Sequence, residues 1–398
     1  ITVYGNGNIF NDEHSEVFAN ATFDGGVVNL EEDLIVSQTI TVNASNVVIN
    51  GNGHRIDASG KTRIFYVTCS NLTIRNITLV GGYSIGEGGA IFAGDCNITV
   101  IDAVFKDNRA ETGAAISTNK GNVLVLDSTF TDNAANAGGG VYSDEGNVTV
   151  IDSYFKNDDA LDYGGGALYS GANIDVTGST FIGSDSPKYG GAIFTTKMLY
   201  VMDSLFENCT SNIGGAFHSG GGEIVNSTFT DNHAILDGGV FSTASDISIA
   251  GCNFTGNDAE KFGGVMYLFE GTPSIISSNF INNTAGVSGA VVYTKGNVTI
   301  KKSEFLNNSA PEGLITIASE EGALDVDDET ICDSPLKEFE SVTLGIVSAD
   351  DVSYGQNMTI TVNVTDNNGM ALSFGSVSAV VNGRTYSANV SGKVAFTR

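Results

Sequence analysis

The chain has no tryptophan, four prolines in 398 residues, and 18 Lys and Arg against 46 Asp and Glu. So little proline suits a sheet in which nearly every residue must donate a ladder hydrogen bond. The basic deficit leaves a net charge of −28 and a pI of about 4.2. That argues against nucleic acid as a partner, because phosphate contacts need a basic face. It fits instead a large exposed surface kept soluble by charge. No apolar run is long enough to span a membrane. The five cysteines (Cys69, Cys96, Cys209, Cys252, Cys332) are an odd number with neither metal-ligand spacing nor a disulfide framework. Cys69 and Cys96 are about one repeat apart, so a bridge between them is geometrically conceivable, but buried small residues are the simpler expectation. The four histidines (His14, His54, His218, His233) are scattered, and no Ser-His-Asp or Cys-His constellation is present. Ile1 to Phe10 do not read as a signal peptide, as expected of a mature or trimmed chain.

What the chain has in excess is glycine, 50 residues, and a phenylalanine that returns at a fixed interval. It recurs at Phe105, Phe130, Phe155, Phe181, Phe206, Phe229, Phe254, Phe280 and Phe305, in steps of 25, 25, 26, 25, 23, 25, 26 and 25. A small-residue corner precedes it, as at Gly88-Gly89-Ala90 and Gly190-Gly191-Ala192. Each period contains three short extended runs punctuated by Gly, Asn and Asp. In residues 88–108 these are Gly88–Phe92, Asn97–Val100 and Val104–Phe105. Three strands and three turns in about 25 residues make one coil of a parallel β-helix. The expected fold is all-β: a right-handed parallel β-helix over residues 27–310, with coils ~4.8 Å apart.

Alternation assigns the side chains. Ile98 and Val100 should point inward, Asn97 and Thr99 outward. One inward row is Ile91, Ile116, Val141, Leu168, Ile193, Phe217, Phe241, Met266 and Val291. The repeated Phe forms a second, with rings stacked coil over coil. Two residues before each Phe lies a small residue, usually Ser (Ser128, Ser153, Ser179, Ser204, Ser227, Ser278, Ser303). Ala103 and Cys252 in the same place suggest that size is what matters. Three residues after the Phe comes Asn108, Asn133, Asn232, Asn257, Asn283 or Asn308, expected to form an amide ladder between turns. Ser184 and Cys209 interrupt that row, and their coils are expected to turn differently.

Four groups of residues are candidates for function. The outward neighbours of the first inward row run Phe92, Ser117, Tyr142, Tyr169, Phe194, His218, Ser242, Tyr267 and Val292. As an external aromatic stripe, Phe92, Tyr142, Tyr169, Phe194 and Tyr267 would suit sugar rings, the competing expectation being structural packing. Asp102, Asp127 and Asp152 hold equivalent places in three coils; such a file could bridge calcium, although water-screened charge explains it more simply. Asp158, Asp159 and Asp162, where one corner-to-corner step lengthens to 27, and the loop Ser184-Asp185-Ser186-Pro187-Lys188 are the best acidic clusters for an enzyme. They read as solvated turn acids. Fifteen Asn-X-Ser/Thr sequons, including Asn97, Asn147, Asn253 and Asn297, should face outward and suggest a glycosylated, extracellular surface.

The ends differ. Residues 1–26 are expected to cap the helix, with 12–22 as the capping element. Residues 311–341 read as a C-terminal cap and linker. Met358–Val364 alternates as an antiparallel strand, and Asn382-Gly383 between two alternating runs signals a hairpin. Residues 342–398 resemble the start of an Ig-like β-sandwich, too short to be complete.

Gly-Gly-Ala-Ile (Gly88–Ile91, Gly190–Ile193) and Phe-X-X-Asn (such as Phe105–Asn108 and Phe229–Asn232) resemble the signature tetrapeptides of chlamydial polymorphic membrane protein repeats. The acidic, Asn-rich composition followed by an Ig-like start is more similar to adhesin-like surface proteins of methanogenic archaea. The resemblance covers residues 25–310, and nothing here has the form of the chlamydial family's terminal barrel. It implies a non-enzymatic cell-surface adhesin with a rigid wall for a glycan or protein of another cell. A polysaccharide lyase or glycoside hydrolase and a structural envelope component are the alternatives.

Overall fold

The computed structural model describes residues 26–43, 45–68, 70–311, 316–319, 322–333 and 336, and the backbone of the strands Asn8–Ile9, Val342–Ala349, Thr359–Asp366, Ser376–Val381, Arg384–Asn389 and Lys393–Thr397. No helix occurs among them. The main body is a parallel β-solenoid of about 12 turns with about 25 residues per turn. Its first wall is a 12-stranded sheet running from Ile40–Val42 through Ile91–Ala93 and Ile193–Thr195 to Ile317–Ser319. The second and third walls share one 25-stranded sheet, bent along its length; Asn97–Lys106 spans both.

Two rows of left-handed residues make the bends in that sheet. One is Asn76, Asp102, Asp127, Asp152, Gly178, Asp203, Asn226, Gly251, Ser277 and Lys302, with φ between 47° and 67°. The other is Asp107, Asp132, Asn157, Gly183, Asn208, Asp231, Gly256, Asn282 and Asn307, with φ between 52° and 67°. Asp, Asn and Gly tolerate this conformation best, so the bends select them. The glycine corner has a different cause. Gly190 has φ +58°, and a Cβ on the neighbouring Gly191 would lie 2.2 Å from the carbonyl oxygen of Gly215 in the next coil. The first glycine supplies a conformation and the second supplies room.

The interior follows from in-register pairing. Phe105 pairs with Phe130, Phe130 with Phe155, and so on to Phe305. All nine rings are buried. Successive centroids are 4.6–5.2 Å apart with planes within 11° of parallel. The widest gap, 5.2 Å between Phe206 and Phe229, falls on the one 23-residue step. Leu34, Ile56 and Leu79 extend the column below Phe105, and Cys332 extends it above Phe305.

Several expectations change. A fourth wall exists: Ala134–Ala135 pairs with Asp159–Ala160, and a five-stranded sheet runs from Asp185–Tyr189 to Thr284–Ala285. Most of its strands are only two residues long, too short to show an alternation. The solenoid also continues past residue 310. Ile317–Ser319, Leu324–Val326 and Ile331–Cys332 pair in parallel with the coil below, so the stretch expected to be cap and linker begins with another turn. At the other end, Asn8–Ile9 pairs in parallel with Asn29 and Leu30; residues 12–22 lie outside the described residues. Near the C-terminus, Met266 pairs with Val292 and Tyr267 with Tyr293. The inward row therefore ends in Val292 rather than Val291, and the outward stripe in Tyr293 rather than Val292. The corner there is Gly289-Ala290, one residue later than the repeat spacing suggested.

The Ser row needs an acceptor as well as small size. The Ser128 N–H donates to Ser153 Oγ (3.1 Å), and the pattern repeats through Ser179, Ser204 and Ser227. Each hydroxyl donates to the carbonyl two residues back, as Ser153 does to Ile151 (2.8 Å). Cys252 keeps the pattern with sulfur, accepting from the Ser227 N–H at 3.5 Å. Ala103 starts the row: its N–H donates to Ser128 Oγ.

In residues 342–398 the strands are antiparallel. Thr359–Asp366 lies between Val342–Ala349 and Lys393–Thr397, and Ser376–Val381 pairs with Arg384–Asn389. Val381 opposite Arg384 is the register of a two-residue hairpin.

Phe155→Ala would open a gap in the middle of the ring column. It is expected to cost about 3–5 kcal/mol, measured as a fall in the urea midpoint of the whole chain. A loss under about 1 kcal/mol would mean the column does not bear the core.

Candidate functional site

The residues that depart from the repeat gather in three consecutive coils. At the ladder position three residues after Phe, the coils of Phe155, Phe181 and Phe206 carry Asp158, Ser184 and Cys209. On either side the amide ladder is intact. Asn108 Nδ2 donates to Asn133 Oδ1 (2.8 Å), and Asn232, Asn257, Asn283 and Asn308 are joined the same way at 2.9–3.0 Å. Each ladder Asn also donates to a column carbonyl of the coil below, Asn108 to Leu79 and the others to a Phe, as Asn133 does to Phe105.

Asp158 is not a solvated turn acid. It is fully buried and takes the Asn position in the ladder. Its Oδ1 accepts from Asn133 Nδ2 (2.7 Å) and from the Asn133 N–H (3.0 Å). Its Oδ2 replaces the Nδ2 that would donate to the Phe carbonyl below, and it has no partner among the described residues; nor has Ser184 Oγ. Burial pushes the Asp158 carboxyl well above the usual carboxylate range, outweighing the bonds from Asn133. A proton on Oδ2 would restore the donor that Asn supplies elsewhere in the row. Cys209 and Cys252 are held as thiols by burial, pushed up to about 12 and about 11.

Outside the same coils lies the longest aromatic run. Tyr142, Tyr169, Phe194 and His218 stack along the first wall with centroids 4.6, 5.0 and 5.4 Å apart and planes within 16° of parallel. The 27-residue step brings Tyr163 across this stack. It meets Phe194 at 5.3 Å, Tyr189 at 5.7 Å and Tyr169 at 6.2 Å, in each case edge-on. Phe194 is consequently only 3% exposed and is a packing residue, whereas Tyr163, absent from the expected stripe, is 38% exposed. Because the rings stack on one another, their flat faces are used internally. The stripe offers ring edges and phenol groups instead, and Tyr142 Oη donates to Asp144 at 3.4 Å. Burial raises both the Tyr142 and Tyr169 hydroxyls above their ordinary value.

The two acidic clusters expected separately are brought side by side. The Asp185 N–H donates to Asp159 Oδ1 (3.2 Å), and Lys188 reaches Asp162 (3.2 Å) while lying over the Tyr163 ring at 5.6 Å. Burial raises Asp159 to about 6 and raises Asp185 as well. His218, flanked by Phe194 and Tyr189, is lowered by burial to about 4, and its Nδ1 has no hydrogen-bond partner among the described residues.

The remaining stripe residues form separate groups. Phe92 meets Tyr66 in a tilted contact (5.6 Å) under Arg63, and Tyr267 stacks with Tyr293 (5.6 Å). Asp102, Asp127 and Asp152 sit exposed on the first left-handed bend, which accounts for their residue type without a cation. No group of three or more His, Cys, Asp or Glu side chains suited to a metal ion occurs among the described residues. Asn97, Asn147, Asn253 and Asn297 are all exposed. Cys96 is buried, and Cys69 lies outside the described residues. Among the described residues no helix is long and apolar enough to cross a membrane. No family model matches the chain, and no curated protein or solved structure is similar to it.

Two pH effects follow. Asp158 has a folded pKa above its unfolded value, so its contribution is complete below about pH 4 and is lost as pH rises. Asp158→Asn should raise the melting temperature at pH 7 more than at pH 4, and equal shifts would show that Asp158 is ionised in the fold. His218 is depressed instead, so its contribution is present above about pH 6.5 and is lost as pH falls toward 4. His218→Phe should reduce the melting-temperature loss between pH 7 and pH 4.5; an unchanged loss would mean the ring is protonated where it stands.

Proposed function

We propose that this chain is the rod of an extracellular, cell-surface adhesin. In this reading a right-handed β-helix, followed by an Ig-like module, presents its first wall to a glycan or protein of another cell. The observation that carries the reading is the Tyr142–Tyr169–Phe194–His218 stack with Tyr163 laid across it. The chain places its largest external aromatic group where its internal ladder is least regular. Amphipathic rings with a polar tip are the side chains most used in recognition. The outward row Tyr66, Phe92, Ser117, Tyr142, Tyr169, Phe194, His218, Ser242, Tyr267 and Tyr293 contains no Asp, Glu, Lys or Arg, in a chain of net charge −28. That supports an uncharged partner surface. Aromatic groups along the rod would act together, each weak contact raising the effective concentration of the next.

A hydrolytic or lyase reading is favoured by one observation, the raised Asp159 beside Asp185 in adjacent coils. A carboxyl poised near 6 is suited to proton transfer, and neighbouring carboxylates are the minimum for attack on a polysaccharide.

On a glycan array the intact chain is expected to bind neutral glycans, with Tyr142→Ala and Tyr169→Ala together reducing the signal at least tenfold. Unchanged binding would remove the stripe from the proposal. New reducing ends or unsaturated products from polygalacturonate, lost in Asp159→Asn, would favour the enzyme.

A further inference from the structure

The sequons are not spread evenly around the coil. Eleven have their Asn among the described residues of the solenoid, and every one of those asparagines is exposed. Asn71, Asn97, Asn147 and Asn297 start the second wall, and Asn43 is on the turn leading into it. Asn76 and Asn226 are on the first left-handed bend, with Asn253 two residues past it. Asn208, Asn282 and Asn307 are on the second bend, with φ of 53°, 57° and 53°. None lies on a first-wall strand, at the glycine corner or on the fourth wall.

Packing explains part of this pattern. Each buried ladder Asn is followed two residues later by alanine (Ala110, Ala135, Ala234, Ala259, Ala285, Ala310). In the coils whose fourth-wall strands are paired, that position is small and buried. Wherever the ladder residue is Asn that position is alanine, so a buried Asn never begins a sequon; Ser186 and Ser211 fill it only in the two coils where Ser184 and Cys209 replace the Asn. Exposed Asn136, just before the glycine corner, is followed by Ala137 and Gly138 and begins none either. On the second wall, by contrast, the amide is pre-set. Asn97, Asn147 and Asn297 use Oδ1 to accept the N–H of Asn122, Asn173 and Ala323 in the next coil, at 2.9, 3.1 and 2.8 Å. The acceptor end of the amide is satisfied within the rod while the residue stays exposed.

We propose that N-linked glycans cover the rod on one side only, the second and third walls, and leave the first wall, the glycine corner and the fourth wall bare. The proposal rests on the extracellular reading above and deepens it, because the bare side is the one that carries the aromatic stripe. The chemistry is transfer from a lipid-phosphate-linked oligosaccharide. Asn Nδ2 bonds to sugar C1, the C1–O bond breaks with its electron pair leaving on the phosphate, and the Nδ2 proton passes to a base of the transferase. Successive coils would place the sugars along files ~4.8 Å or a multiple of it apart, a coat dense enough to keep neighbouring rods from meeting along those walls.

Glycopeptide mapping of the intact chain, isolated from the cells that make it, tests the coat. Sugar mass is expected on peptides containing Asn71, Asn97, Asn147 and Asn297 and on at least one of Asn208, Asn282 and Asn307. Eleven unmodified asparagines would overturn the proposal. So would sugar of any linkage on the first-wall tyrosines Tyr66, Tyr142, Tyr169 or Tyr267, which reach the surface. The map and the glycan array fail separately. A blank array removes glycan recognition by the first wall and leaves a one-sided coat standing, whereas a bare protein that still binds its glycan removes only the coat.

Discussion

Parallel pairing in register places almost every side chain directly above the residue one coil earlier, at a separation fixed by backbone hydrogen bonding. A position along the coil must therefore accept its own kind as a neighbour. Phenyl rings do so by stacking, carboxamides by passing Nδ2 to the next Oδ1, and serines by offering Oγ to the next N–H. Carboxylates do so at the bends, where water screens them; Asp159 beside Asp185, on the fourth wall, is the exception and is raised by burial. The acidic composition, the glycine corners and the scarcity of proline all follow from this self-stacking rule.

Viewed this way, the coils of Asp158, Ser184 and Cys209 are where the rule is relaxed. Asp158 keeps the accepting half of an Asn ladder and loses the donating half unless protonated. Ser184 and Cys209 are too short to span the coil spacing as a carboxamide does. The same coils contain the longer step that lifts Tyr163 over the stripe and the paired acids Asp159 and Asp185. Irregularity inside and elaboration outside coincide, as expected where a fold gives up local consistency for a surface it needs. Stacking also changes what that surface offers. Rings that cover one another's faces present edges and hydroxyls, so recognition there would rest more on phenol groups and on Tyr163 than on flat platforms.

Much of the coil could be read from residue spacing. The Phe and Asn rows repeat at nearly constant steps, and Ile98 and Val100 alternate with Asn97 and Thr99 on one strand. The fourth wall could not be read, because two residues such as Ala134-Ala135 carry no alternation. The shift to Val292 and Tyr293 was hidden because Val291-Val292 offers two equivalent apolar residues and only pairing selects one. Asp102, Asp127 and Asp152 suggested charge chemistry in sequence; their φ values give a backbone reason, legible beforehand only in the Gly and Asn that replace them in other coils.

By itself the sequence determined that the chain winds, how many residues make a turn, and which residues line the interior, since those properties follow from period and alternation alone. Only the tertiary structure decided that Asp158 is buried, that Tyr163 covers Phe194, that Asp159 lies beside Asp185, and that the sequons share one side. Each of these depends on which residues of neighbouring coils come level with one another, and a two-residue change in one step is enough to move a side chain from water to another ring.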